Sequence, residues 1–163
     1  MIDKKNFYIN GKWVKPAKAN DYNVVNPSNE EVFAVISLGS KDDTDSAVKS
    51  AKRAFDQWKE TLVDERINFL EKLLKVYKKR FNEIAEAMSM EMGSPIDYAT
   101  MVHAASGQTH LEDFILRLKN FKFGEDFNSK SNNYIAREPI GVCGLITPWN
   151  WPINQIALKV IPA

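Results

Sequence analysis

Arg137-Glu138-Pro139-Ile140-Gly141-Val142-Cys143-Gly144-Leu145-Ile146-Thr147-Pro148-Trp149-Asn150-Trp151-Pro152 changes character halfway along. Ile140 to Ile146 is apolar on both faces and broken only by two glycines, the pattern of a strand covered on both sides. Pro148 and Pro152 then bracket Trp149, Asn150 and Trp151, and an apolar run from Ile153 to Ile161 predicts a helix. A buried strand that turns sharply into a helix opens an α/β unit, and ligands of such sheets sit beyond the C-terminal strand ends. Asn150 stands at that place. Its amide can donate two hydrogen bonds, and the flanking prolines stiffen the turn that carries it. A fixed dipole of this kind suits an oxyanion donor. The other reading is a helix cap, because Asn is a favoured cap and Pro152 suits an early helical position.

Glu138-Pro139-Ile140-Gly141-Val142, followed by Ile146-Thr147-Pro148-Trp149-Asn150-Trp151-Pro152, resembles the corresponding segment of NAD(P)-dependent aldehyde dehydrogenases, including the aromatic residue after the Asn. The resemblance implies that Asn150 holds the aldehyde oxygen. It also implies that Ile146, Thr147, Pro148 and Trp149 flank the nicotinamide end of NAD or NADP, largely through backbone groups. The implied fold is α/β: the N-terminal part of the family's cofactor-binding domain, spanning residues 1–163, with its sheet incomplete. The implied reaction oxidises an aldehyde to a carboxylic acid. A cysteine thiolate attacks the carbonyl, NAD(P)+ accepts the hydride, and water activated by a glutamate hydrolyses the thioester.

The rest of the chain fits this frame. Phe7-Tyr8-Ile9 and Lys12-Trp13-Val14 flank Asn10-Gly11, a tight-turn signal. Tyr22 to Val25 and Glu31 to Ile36 flank a second turn, Asn26-Pro27-Ser28-Asn29. An Asn-Gly hairpin and then an Asn-Pro turn occur in this order in the family. Ser40 and Asp43 have capping-box-like spacing ahead of a helix with the apolar stripe Ala47, Val48, Ala51, Ala54, Phe55 and Trp58. A second helix is predicted over about Asp64 to Lys79, with Ile67, Leu70, Leu74, Tyr77 and Phe81 as its stripe. Its basic cluster, Lys72, Lys75, Lys78, Lys79 and Arg80, reads as a solvated face.

A third helix, Asn82 to Met92, should end at a left-handed Gly93, with Met88, Met90 and Met92 serving as adaptable core packing. Ser94-Pro95 then predicts the cap and first position of a helix reaching Lys119, which Gly107 would weaken or bend. Phe121 to Lys130 looks irregular or extended, and Tyr134 to Arg137 resumes an extended pattern. By resemblance, residues 121–137 include a β arm, placed at Phe127 to Arg137, that pairs with another subunit in a dimer or tetramer. The residues alone equally allow a local hairpin.

Other classes find less support. The 163 residues are 44% hydrophobic and 26% charged, an ordinary globular composition. A net charge of +1 gives no field to attract nucleic acid or a membrane, and no stretch approaches the ~20 apolar residues of a span. The N-terminal residues lack a signal peptide's apolar segment, so cytoplasm is the expected location. Neither a Gly-x-Gly-x-x-Gly nor a P-loop pattern occurs; Gly141 and Gly144 are expected to allow close backbone packing along the strand. Cys143, the single cysteine, falls inside the predicted strand and reads as structural, since burial disfavours a thiolate. The family's nucleophile belongs to a later motif.

His103 and His110, seven residues apart, share one helix face and read as helix-packing residues; no metal site is expected. One strand and one helix cannot complete a doubly wound sheet, so Val142 to Ile146 should leave unpaired backbone and apolar surface. Two further readings follow: a catalytically inert fragment that lacks nucleophile and base, and an independent helical binding module. The sequence does not choose the aldehyde, or NAD over NADP.

Overall fold

The structure is a computed structural model, and it describes residues 1–128 and 132–163. Two small β units come first. Asn10 (φ 54°) and Gly11 (φ 75°) form the predicted turn between β2 (Phe7–Ile9) and β3 (Lys12–Val14), which pair antiparallel. Tyr8 and Trp13 face each other across this pair, with ring centroids 5.2 Å apart. β4 (Asp21–Asn26) and β5 (Glu31–Ser37) form the second predicted hairpin, where the Asn26 side chain accepts from the Ser28 backbone N–H and hydroxyl. β1 (Ile2–Lys4) adds parallel to the other edge of β5. β1 has no signature in the sequence: it is exposed throughout, so it has no need of an alternating apolar pattern.

α1 (Lys41–Trp58) starts at the predicted box: the Ser40 hydroxyl accepts from the Asp43 N–H, and the Asp43 carboxylate accepts from the Ser40 N–H. Its apolar stripe is less covered than expected. Ala47, Ala51 and Phe55 are half-buried, while Val48, Ala54 and Trp58 are exposed. α2 (Val63–Lys79) and α3 (Phe81–Met92) follow. Ile67, Tyr77, Ala85 and Met88 are buried, and the basic cluster on α2 is exposed. Gly93 ends α3 in the left-handed region, with φ 67°.

The long helix differs in detail from its prediction. Ser94 does not cap it: the helix opens after Pro95, and the Ser94 hydroxyl is buried without a partner among the described residues. It runs as α4 (Ile96–Tyr98), a π-helical turn (Ala99–Ala104) and α5 (Ala105–Asn120). The irregularity therefore lies upstream of Gly107. Gly107 is instead a contact point: a Cβ there would lie 3.0 Å from both Tyr77 Cζ and Ile153 Cγ1. α5 packs antiparallel on α2, framed by Lys78–Glu112 (2.7 Å) and Lys119–Glu71 (3.0 Å) ion pairs, with Leu111 and Ile115 buried.

β6 (Gly124–Asp126) and β7 (Tyr134–Ala136) pair antiparallel. Arg137 locks the pair's base, donating to Lys122 O (3.0 Å) and Glu125 Oε1 (2.7 Å). Residues 129–131, all within the expected arm and the first two also within the expected irregular stretch, lie outside the described residues. The strand predicted over Ile140 to Ile146 does not pair. Ile140 is 94% exposed and Ile146 87% exposed, and no described strand lies beside them. An extended run without a neighbour has no ladder to join, so the apolar surface and free backbone expected of Val142 to Ile146 are what the chain presents. The last element is α6 (Pro152–Val160).

Candidate active site

α6 begins with Pro152 at its first turn, as the sequence predicts. Trp151, not Asn150, occupies the cap position, with φ −157° and ψ 69°, and no side chain caps the helix. The capping role open to Asn150 is therefore not used. Asn150 is exposed, and its amide has no partner among the described residues. An amide free of local bonds keeps both N–H groups available to an incoming oxygen.

Asn150 leads directly into α6, which docks on the preceding helices. Trp151 sets its ring edge-on to His103, with centroids 5.8 Å apart and planes at 88°. His103 is in turn edge-on to Tyr98, at 5.3 Å and 80°. One turn along, Ile153 meets Gly107, and Asn154 Oδ1 lies 2.7 Å from His110 Nε2. Ala157 is buried at 6% exposure. The two histidines thus share the face that receives α6, and their seven-residue spacing was the signal for it. Their specific partners were not legible, because Trp151 and Asn154 lie more than 40 residues away in sequence.

His103 sits in the π-helical turn between Ala99 and Ala104, both 0% exposed. The hydroxyl of Tyr77 donates to Ala104 O at 2.7 Å. His103 is itself 6% exposed, and burial pushes its imidazole below the ordinary range, toward the neutral form. Its Nδ1 and the Trp151 indole nitrogen are both buried without a hydrogen-bond partner among the described residues.

Ile146, Thr147, Pro148 and Trp149 are exposed immediately before this anchored helix. Among the described residues, no backbone hydrogen bond joins 138–150 to the rest of the chain. Cys143, expected inside a covered strand, is exposed, and its thiol lies 3.8 Å from Gly141 O. The expected enclosure is therefore not formed, because the run that carries it pairs with no strand among the described residues. Gly141 and Gly144 likewise have nothing within 4 Å of a Cβ built at either position, so neither permits a close approach here. Among the described residues, no group of three or more His, Cys, Asp or Glu side chains is placed to hold a metal, and no helix is long and apolar enough to cross a membrane.

Comparison with known proteins agrees with this geometry. The model of the aldehyde dehydrogenase family matches residues 13–163. A 3-succinoylsemialdehyde-pyridine dehydrogenase from a Pseudomonas species is 43% identical over 164 residues, covering 100% of this chain and 34% of the relative. The crystal structure of an aldehyde dehydrogenase from Bartonella henselae superposes with a TM-score of 0.97 at 48% identity, over 99% of this chain and 34% of that one. An aldehyde dehydrogenase C mutant from Pseudomonas syringae, solved with NAD+ and octanal, gives 0.92 at 38% identity, over 97% and 32%. The chain thus spans about a third of the length of the relatives it matches, and its mixed α/β fold is that of their N-terminal part. The match of the family model over residues 13–163 shows that the chain belongs to the aldehyde dehydrogenase family.

Proposed function

We propose that this chain is the N-terminal portion of the NAD(P)-binding domain of an enzyme that oxidises an aldehyde to a carboxylic acid, with the Asn150 amide as oxyanion donor. The observation that carries this reading is the position of Asn150: exposed and unpartnered, directly before a helix anchored on its far side by Trp151 and Asn154. A donor serves catalysis when it is held still by the scaffold and not engaged by it. Ile146, Thr147, Pro148 and Trp149 would line the nicotinamide end of the cofactor. The cofactor, when bound, supplies the hydride acceptor. NAD+ in the Pseudomonas syringae structure, and in one from Mycobacterium tuberculosis that matches with a TM-score of 0.92 at 26% identity, supports the cofactor class.

The test is Asn150→Ala in an enzyme that contains this chain together with the rest of the family's length. Loss of one oxyanion donor costs about 3 kcal/mol of barrier, so kcat should fall by roughly a hundredfold or more. Unchanged turnover would remove the assignment.

The 163-residue chain alone is proposed to be inactive, because its only thiol, Cys143, lies in the segment before Asn150 and outside the family's nucleophile motif. Aldehyde-dependent NADH formation by this chain would contradict that. The β6–β7 hairpin is proposed as the start of a subunit-pairing arm in a cytoplasmic homo-oligomer. Tyr134, 64% exposed, and Phe127, 61% exposed, support it. A monomeric enzyme at micromolar concentration in solution scattering would argue against the arm.

A further inference from the structure

We infer that His103 is a positioning residue for Asn150, acting through the ring of Trp151; this rests on the donor role proposed for Asn150. Residues 138–150 reach the rest of the protein through no backbone hydrogen bond among the described residues, and 142–150 are all exposed. The first side chain after Asn150 to make an aromatic contact is Trp151, and that contact is with His103. The contact is rigid on both sides. Trp151 is attached directly to Pro152, whose ring restricts the turn. His103 is wedged between Tyr98 and Trp151, at 6% exposure, in a helical turn whose flanking alanines are fully buried. An edge-on aromatic pair has a preferred angle as well as a distance, so it fixes how Trp151 is turned and thereby where the preceding peptide points.

His103 touches neither the aldehyde nor the cofactor in this account. Its effect is confined to where the Asn150 amide stands relative to the oxygen it must meet, and a displacement near 1 Å can cost on the order of a hundredfold in rate. The helix α6 is separately held at Asn154 and Ala157, so a change at His103 alters the start of the helix without undocking it.

The test uses an enzyme containing this chain and the remainder of the family's length. His103→Ala, Asn150→Ala and the double variant are compared, with His110→Ala as a control that loosens α6 elsewhere. Two readouts are taken: aldehyde oxidation, and hydrolysis of an activated phenyl ester, which needs the nucleophile and oxyanion donor but no hydride acceptor. The expected result is a kcat loss of about tenfold or more for His103→Ala in both reactions, with KM little changed. That loss should vanish in the Asn150→Ala background, and His103→Phe should restore most of it by returning a ring edge. Should His103→Ala fail to fold, His103→Phe against His103→Leu carries the comparison, since only the first keeps a ring. Losses at His103 and Asn150 that multiply, equal kcat for Phe and Leu, or an equal kcat loss in His110→Ala at matched thermal stability would each overturn the positioning role and leave the donor role standing. An Asn150→Ala enzyme with normal turnover would overturn both.

Discussion

His110 Nε2 and Asn154 Oδ1 lie 2.7 Å apart across the α5–α6 contact, joining two residues 44 positions apart in the chain. The bond is part-buried and forms the polar clasp of a helix otherwise docked by Trp151, Ile153 and Ala157. A hydrogen bond in this setting contributes about 1 kcal/mol net. His110→Ala and Asn154→Ala should each lower unfolding stability by about that amount, and the double variant should lose less than the sum. Denaturant titrations of the four proteins measure the coupling, and strictly additive losses would show that the two side chains do not depend on each other.

Gly107→Ala sets two effects against each other. Alanine favours a helix over glycine by about 1 kcal/mol. The added Cβ, however, would stand 3.0 Å from Tyr77 Cζ and Ile153 Cγ1, and Tyr77 is held by its bond to Ala104 O. Overpacking of a fixed site costs about 1–3 kcal/mol, so the variant should be less stable and α6 should dock less firmly. A raised melting temperature would mean that Tyr77 can yield and that Gly107 is not a contact requirement.

The sequence disclosed local order better than remote partnership. Asn10-Gly11, Asn26-Pro27, Ser40 with Asp43, and Gly93 act within a few residues, and each forms the structure its chemistry demands. Ser94 does not cap, because Pro95 itself takes the cap position, which leaves Ser94 one residue outside the helix with its hydroxyl turned inward. The apolar run around Val142 was read as a covered strand, yet pairing depends on strands that the run itself does not contain. The motif singles out Asn150 as a candidate, but leaves no sign of the aromatic stack beside its neighbour Trp151, since a π-helical turn and a ring angle leave no periodic trace.

Asp43 should confer acid sensitivity on the start of α1. Its carboxylate accepts from the Ser40 hydroxyl at 2.6 Å, from the Ala17 N–H at 2.8 Å and from the Ser40 N–H at 2.8 Å. These bonds, the hydroxyl's first, hold its carboxyl below the usual Asp range. The stabilisation is present above the unfolded-chain value, about 3.9, and is lost as pH falls through the lower folded value. Asp43→Asn should flatten that part of the acid limb. Identical acid limbs for both proteins, measured by urea unfolding from pH 6 downward, would remove Asp43 from the acid response.

Tyr77 should produce the opposite slope at high pH. The residue is 8% exposed, its hydroxyl donates to Ala104 O at 2.7 Å, and burial pushes the phenol up from its ordinary 10.0 to about 12. Between those two values the unfolded chain releases the proton while the folded chain retains it, so stability falls as pH rises. Below pH 10 this contribution is complete. Tyr77→Phe removes the titrating group and also the donor to Ala104 O, so it should start about 1 kcal/mol less stable near neutral pH. It should then lose less on approach to pH 11.5, narrowing the gap to the unsubstituted protein. A gap that stays constant from pH 8 to pH 11.5 in paired urea titrations would show that the Tyr77 proton plays no part in the alkaline transition.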